Sequence, residues 1–320
     1  MLREQALPNI DEYQRCGEPG LSQIDAEKSL SPIQEIDASI EEKIHQALWK
    51  DDVLRATDYN EIEIHVKNGI VYLSGHLIST TNRQRVEKAI QTVDGILGIR
   101  SKLVLDDELT REVAASLGEL EHLHHCKFFT GVSHGVVVLN GEVSSLEVRK
   151  SAEQAAASHP HTRGVINYIR VPGVDLDLQN QRFLQPPIGK EIYFRDGISG
   201  IVRQVVINPD NRLVTAMTIQ GHLNDLHQNL AMSSDSAAPI MHQLLVIPID
   251  VIGNLTNSSG FLTIKSTDYS KYQKFDASMF DTPANDWVPP YPYCPDEVLF
   301  AVEYPQALTE QIVANDSLGG

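Results

Sequence analysis

The chain has 320 residues and a formal net charge of −17, from 43 acidic against 26 basic side chains. That length suits two or three modest domains rather than one core. The acid surplus argues against general nucleic-acid binding, which needs Lys and Arg to neutralise phosphate.

Residues 1–38 are acidic and weakly periodic, which predicts a disordered arm. The opening residues hold no apolar stretch of the secretory kind, and no run of the chain reaches membrane-spanning length. Three dispersed cysteines (Cys16, Cys126 and Cys294) are not a disulfide framework and suit a reducing compartment. The expectation is a cytoplasmic protein, at most peripheral to the inner membrane.

Residues 39–106 have clear periods. Ile40, Ile44 and Leu48 recur as one helical face requires. Ile62, Ile64 and Val66 alternate with Glu63 and His65, the pattern of a half-buried strand. Asn68-Gly69 is a hairpin dipeptide, because both central positions of such a turn favour positive φ. Val71 and Leu73 extend a second strand to Gly75. Residues 82–93 predict a second helix with Val86, Ala89, Ile90 and Val93 on one side, and 97–105 a third strand. The order is α-β-β-α-β, a three-stranded sheet covered by two helices.

Residues 107–172 repeat that order. NGIVYLSG at 68–75 returns as HGVVVLNG at 134–141. Arg83 then aligns with Arg149, Ala89 with Ala155, and Gly98-Ile99 with Gly164-Val165. Upstream, Leu109, Val113 and Leu117 are the counterparts of Ile40, Ile44 and Leu48, after one small insertion. The second copy has His134 in place of the hairpin Asn and His161 in place of Gly95. These features resemble the BON domain of bacterial envelope-stress, channel and secretin-type proteins. The carriers are the initial amphipathic helix, the hairpins VKNGIVYLSG and VSHGVVVLNG, the Arg-bearing second helix and the closing Gly-Ile or Gly-Val strand. The resemblance implies a binding module, often linked to phospholipid or envelope interactions, without catalytic residues.

Residues 173–185 have the polar and proline content of a linker. Over 186–265 short β-like runs alternate with turn residues: Asp196-Gly197, Gly200 and the turn 208–211 separate runs at 201–207 and 213–219, with later runs at 244–252 and 261–264. A polar insertion at 222–242 predicts a loop. The region resembles the PRC-barrel of photosynthetic reaction-centre H subunits and ribosome-maturation factors. G-K-E-I-Y at 189–193, D-G-x-x-G-x-V at 196–202 and the later V-I-P-I-D-V-I carry that resemblance, which implies a docking surface for protein complexes. Residues 266–320 form a Pro/aromatic extension. The expectation there is a strap packed across the barrel, with VLFAVEY at 298–304 as an extra strand, in preference to a polyproline ligand.

Candidate chemistry is sparse. His122, His124, His125 and Cys126, with His159 and His161, are residue types that bind zinc. The first group leads into the second copy's first strand and the other pair precedes its third, so topology puts them at opposite ends of one sheet. Cys126 shares a face with Phe128 and reads as packing. No nucleophile elbow or Cys–His pairing is present in the sequence, and the hairpin glycines do not precede a helix as a phosphate loop requires. Arg83, Arg85, Arg149 and Lys150, at the starts of the second helices, are the candidates for an anion or lipid contact. No catalytic, cofactor or metal residue is assigned.

The expected fold is α+β: two α-β-β-α-β BON-like domains followed by a small all-β barrel of PRC type. The expected function is a non-catalytic adaptor that docks a protein complex. The alternatives are a peripheral phospholipid-binding protein of the envelope stress response and a ribosome-associated assembly factor.

Overall fold

The computed structural model describes residues 31–176, 181–221, 244–256 and 258–302. Most of the expected arm, the whole 222–242 insertion and the end of the C-terminal extension lie outside the described residues.

Helix α1 (Pro32–Lys50) begins inside the segment expected to be disordered. A capping box accounts for the start: Ser31 Oγ accepts from Gln34 N–H, Gln34 Oε1 accepts from Ser31 N–H, and proline occupies the first position. Apolar periodicity misses this turn because it buries no apolar side chain. A short helix α2 (Asp52–Thr57) follows, capped by the Asp51 carboxylate on the Val53 and Leu54 N–H groups.

Strands β1 (Ile62–Lys67) and β2 (Ile70–Leu77) pair antiparallel. After helix α3 (Thr80–Ile90), strand β3 (Gly98–Leu105) joins β2 in parallel, giving the order β1-β2-β3. Their apolar face packs on α1 and α3 around Ile44, Leu48, Leu73, Leu77, Val86 and Ile90.

The second copy rebuilds this unit as helix α4 (Asp106–His124), strands β4 (Lys127–Ser133) and β5 (Val136–Glu142), helix α5 (Leu146–Ala157) and strand β6 (Gly164–Asn167). Its sheet order is β4-β5-β6 with the same parallel and antiparallel pairings. The hairpin turns also match, with φ of 51° and 73° at Asn68-Gly69 and 47° and 77° at His134-Gly135. Histidine in place of asparagine therefore leaves the turn unchanged. One carboxylate clamps each turn. Asp37 accepts from the Asn68 and Gly69 N–H groups at 2.7 and 2.8 Å, and Asp106 accepts from those of His134 and Gly135. Each such bond to an ionised acceptor contributes about 1.5–3 kcal/mol.

No linker separates the copies. Leu105 ends β3 and Asp106 begins α4, so the last strand of one domain feeds directly into the first helix of the next.

The third unit is strand-rich. Strands β7 (Glu191–Tyr193), β8 (Ser199–Ile207), β9 (Val214–Gly221), β10 (Leu244–Pro248), β11 (Ile252–Leu255), β12 (Ser259–Leu262) and β13 (Gln273–Lys274) form one path ordered β11-β12-β7-β8-β9-β10-β13. Strands β14 (Phe280–Asp281) and β15 (Val298–Ala301) complete it, β15 running parallel beside β8. The expected run at 244–252 is broken by a 3₁₀ turn at Ile249–Val251.

The expected barrel is not closed among the described residues; the strands form an open, branched sheet of nine. The reason lies in β8, which pairs on one side with β7 over its first residues and with β15 around Val205-Val206, while β9 holds its other side. The path forks at β8 instead of returning on itself. One face encloses a core that includes Ile192, Val205, Met217, Ile247 and Val298, and the other a smaller one around Val206, Ala216, Val246 and Leu299. The Pro/aromatic segment packs as a strap: Trp287 lies against the main core and the Tyr293 hydroxyl donates to the Pro186 carbonyl.

Candidate functional site

The three units meet at one junction. The end of the first domain opposite its hairpin faces the hairpin end of the second. At the close of α2, the Asp58 carboxylate is fully buried and accepts from Ile78 N–H and the Asn82 amide. His134, on the second domain's turn, lies with Nε2 3.0 Å from Asp58 Oδ1. Burial alone would raise the Asp58 carboxyl, but the bonds from His134, Asn82 and Ile78 outweigh it and hold the group below its ordinary range. The Asp58 bond correspondingly raises the His134 imidazole against the effect of its own burial.

His76, near the end of β2, is buried beside this pair; its Nδ1 lies 3.7 Å from Asp106 Oδ1 and has no hydrogen-bond partner among the described residues. Burial pushes its imidazole down, Asp106 opposes the shift and Arg163 adds to it. Gly135 approaches so closely that a Cβ there would lie 2.4 Å from the His76 ring.

Arg163 ties the junction together, at 8% exposure. It precedes β6 and donates to Glu61 Oε2 of the first domain at 2.6 Å and to the carbonyl of His134. Within the connector and the strap it donates to Gln185 Oε1 and the Tyr291 carbonyl, and its guanidinium stands over the Phe183 and Tyr291 rings. The expected linker at 173–185 is thus partly built into the contact: Gln181 also accepts from Asn167 N–H. Arg212 makes a second tie. Its guanidinium is buried between the carbonyls of Ala157 and Val288 and over Trp287, and burial lowers its pKa to about 10.

Two clefts open beside the strap. One of about 400 Å³ is lined by Asn60 and Glu61 from the first domain, Arg163 from the second, Phe183 from the connector and Thr256 and Tyr291 from the third unit. A second, of about 260 Å³, shares Tyr291 and Pro292 with it and reaches His76, Lys102 and His161. The charged side chains that anchor this region, Glu61, Arg163 and Arg212, hold protein partners.

The four candidate anion contacts lie elsewhere, each with a protein partner of its own. Arg83 pairs with Glu87, Arg85 with Asp51 at 3.0 Å, and Lys150 with Asp210 at 3.0 Å. Arg149 donates to the carbonyls of Asn167 and Ile169 and faces Glu153. Lys150 instead helps fasten α5 to the third unit. His159 pairs with Glu112, and no group of three or more His, Cys, Asp or Glu among the described residues is arranged to hold a metal. Cys126 is a free thiol packed against the second core, whereas Cys294 on the strap is buried and disulfide-bonded. No helix among the described residues is long and apolar enough to cross a membrane.

Sequence reasoning missed Asp37, Asp106, Asp58, His76, Arg163 and Arg212. A signal existed for the two clamps: the same aspartate stands three positions before Ile40 and before Leu109, at the same point of each repeat. For Arg163 none existed, because its partners come from four distant stretches of chain.

Residues 36–107 and 105–173 each match the family model described as BON domain. The chain therefore carries two BON domains in tandem, in a mixed α+β structure. Two solved structures are similar in part: CdsD, a structural protein of the Type III secretion system of Chlamydia trachomatis, and the C-terminal domain of the same protein. The first is 15% identical with a TM-score of 0.35, covering 42% of this chain and 62% of that one. The second is 14% identical with a TM-score of 0.35, covering 42% of this chain and 66% of that one. The chain thus spans less than two thirds of the length of either. No curated protein matches.

Proposed function

We propose that the chain is a non-catalytic adaptor whose two BON domains and third unit, a PRC-barrel-like docking domain, present fixed surfaces to a protein complex. The observation that carries this reading is Arg163, which binds side chains or carbonyls from all three units at once. A protein that only tethers partners needs no such fixation, since a flexible linker raises effective concentration equally well. Fixation matters when one partner must touch several units together, and the 400 Å³ cleft is lined by all three. The PRC-like assignment is supported by the G-K-E-I-Y run, which supplies β7, and by V-I-P, which closes β10.

The test is site-specific photo-crosslinking in cells. A crosslinker at Asn60 or Thr256, on the cleft, should trap a discrete protein, and one at Glu119, on the far part of α4, should not. Crosslinks to lipid, together with flotation on anionic vesicles at physiological salt, would replace the adaptor with the phospholipid reading. Crosslinks confined to ribosomal proteins would favour the assembly-factor reading.

A further inference from the structure

The chain holds three cysteines, Cys16, Cys126 and Cys294. Cys126 is a free thiol and Cys294 is disulfide-bonded, which within one chain leaves Cys16 as the partner of Cys294. Cys16 belongs to the acidic stretch before Ser31, outside the described residues. We propose that a Cys16–Cys294 disulfide ties this N-terminal arm to the strap, and that the tied arm lies over the face of the first BON sheet turned away from its helices.

The charge of that face suits the arm. Strand register sets Tyr72 between His65 and Arg100, and Ser74 between Glu63 and Lys102. These residues alternate with the core-facing Ile64, Val71 and Leu73, so they share the outer face. Arg100 and Lys102 are exposed, and the Arg100 guanidinium stands over the Tyr72 ring at 6.0 Å. With Lys67 further along β1, cations outnumber acids here, in a chain whose net charge is −17. The second copy does not repeat the pattern: Gly131, Val138 and Ile166 hold the row of His65, Tyr72 and Arg100. Between Cys16 and Ser31 the arm carries Glu18, Asp25 and Glu27 against Lys28, the opposite balance.

The two fixed points of the arm stand at opposite ends of this face. Ser31, where α1 begins, lines a cleft with His65 and Lys67. Cys294 lines another with Glu63, Ser74 and Lys102. Along β1 the step from Lys67 to Glu63 is about 13 Å, whereas the chain from Cys16 to Ser31 reaches about 50 Å when extended. The arm is therefore long enough to cross the face and meet the strap. The bond forms by exchange with an external disulfide such as oxidised glutathione. Both cysteine thiols give up a proton, one S–S bond joins Cys16 to Cys294, and the two electrons and two protons leave with the oxidant as two thiols. A dithiol reverses the exchange and releases the far end of the arm.

The test uses the full chain equilibrated with oxidised glutathione, alkylated in denaturant and digested without reductant. Mass spectrometry should find Cys16 linked to Cys294, with Cys126 linked to neither. Zero-length carbodiimide crosslinking of the same folded, oxidised chain should join Glu18 to Lys102. That crosslink should fall severalfold after reduction with dithiothreitol, and equally in Cys16→Ser, whose unchanged thermal melting will verify folding. Cys16 and Cys294 both left unlinked after oxidation, or Cys294 joined to Cys126 or to a second copy's Cys294, would overturn the tie. A Cys16–Cys294 bond without the Glu18–Lys102 crosslink, or with Glu18 joined instead to Lys50 or Lys88 on the helix side, would overturn the seat on the sheet.

Discussion

Replacing Arg163 with alanine should uncouple the third unit from the BON pair. The change strips Glu61 of a donor at 2.6 Å and removes a donor from Gln185 Oε1 and from the carbonyls of His134 and Tyr291. Removing one partner of a buried ion pair costs about 3–5 kcal/mol. The Glu61 side chain keeps 28% of its exposure, so water recovers part of its solvation and about 3 kcal/mol is the better figure. Loss of the contacts over Phe183 and Tyr291 adds about 1 kcal/mol. A loss of about 4 kcal/mol at the junction is a large part of ordinary domain stability, about 5–15 kcal/mol. In scanning calorimetry the wild type should unfold in one transition, and Arg163→Ala in two, the first well below the original. Arg163→Lys should recover less than half of the loss, because an ammonium keeps the charge but cannot reproduce the planar fork. A single transition in Arg163→Ala within about 1 °C of wild type would refute the coupling role.

Four further outcomes follow from the structure. Asp106→Ala leaves two turn N–H groups unpaired inside the junction and should lower stability by about 3 kcal/mol in urea titration, more than Asp37→Ala, whose turn meets no other unit among the described residues. The His134 imidazole is raised in the folded state, so its bond to Asp58 stabilises fully below about pH 6.5 and fades as pH climbs through the raised value; His134→Asn should lose most at acid pH. His76 is lowered and has the opposite sign: its neutral form stabilises above about pH 6.5 and that contribution drains as pH falls, so His76→Gln should flatten the acid limb of urea midpoints. Gly75→Ala should unfold the first domain, with φ at 114° and a Cβ only 2.0 Å from the Glu61 carbonyl oxygen, whereas Gly98→Ala, which meets nothing within 4 Å, should be tolerated; far-UV circular dichroism separates the two.

The BON pair was legible because its signals are local. Ile40–Ile44–Leu48, the Ile62–Val66 alternation and the two hairpin dipeptides each depend on neighbours along the chain, and the repeat states every signal twice. Helix α2 was missed because six residues are too few to express a period. The strap at 282–297 was legible in composition, since its aromatic side chains have few other places to go. Closure of the third unit's sheet was not legible, because strand count and turn chemistry do not say whether a sheet closes; among the described residues β8 divides one edge between β7 and β15. The junction was invisible for a different reason. Arg163 reads as an ordinary charge after a turn, and only folding brings Glu61, Gln185 and Tyr291 to it.

The direct passage from Leu105 to Asp106 has a mechanical meaning. The residues shared by the two family matches, 105–107, are the same few that end one sheet and start the next helix. Leu105 is buried in the first core while Asp106 grips the second hairpin, so the two domains have no slack between them. A pull or twist on β3 is delivered as displacement of α4, and from its clamp to the loop carrying His134. The tandem behaves as one spine with two ribs, and a cut placed between the copies would remove a wall from one domain and the anchor from the other.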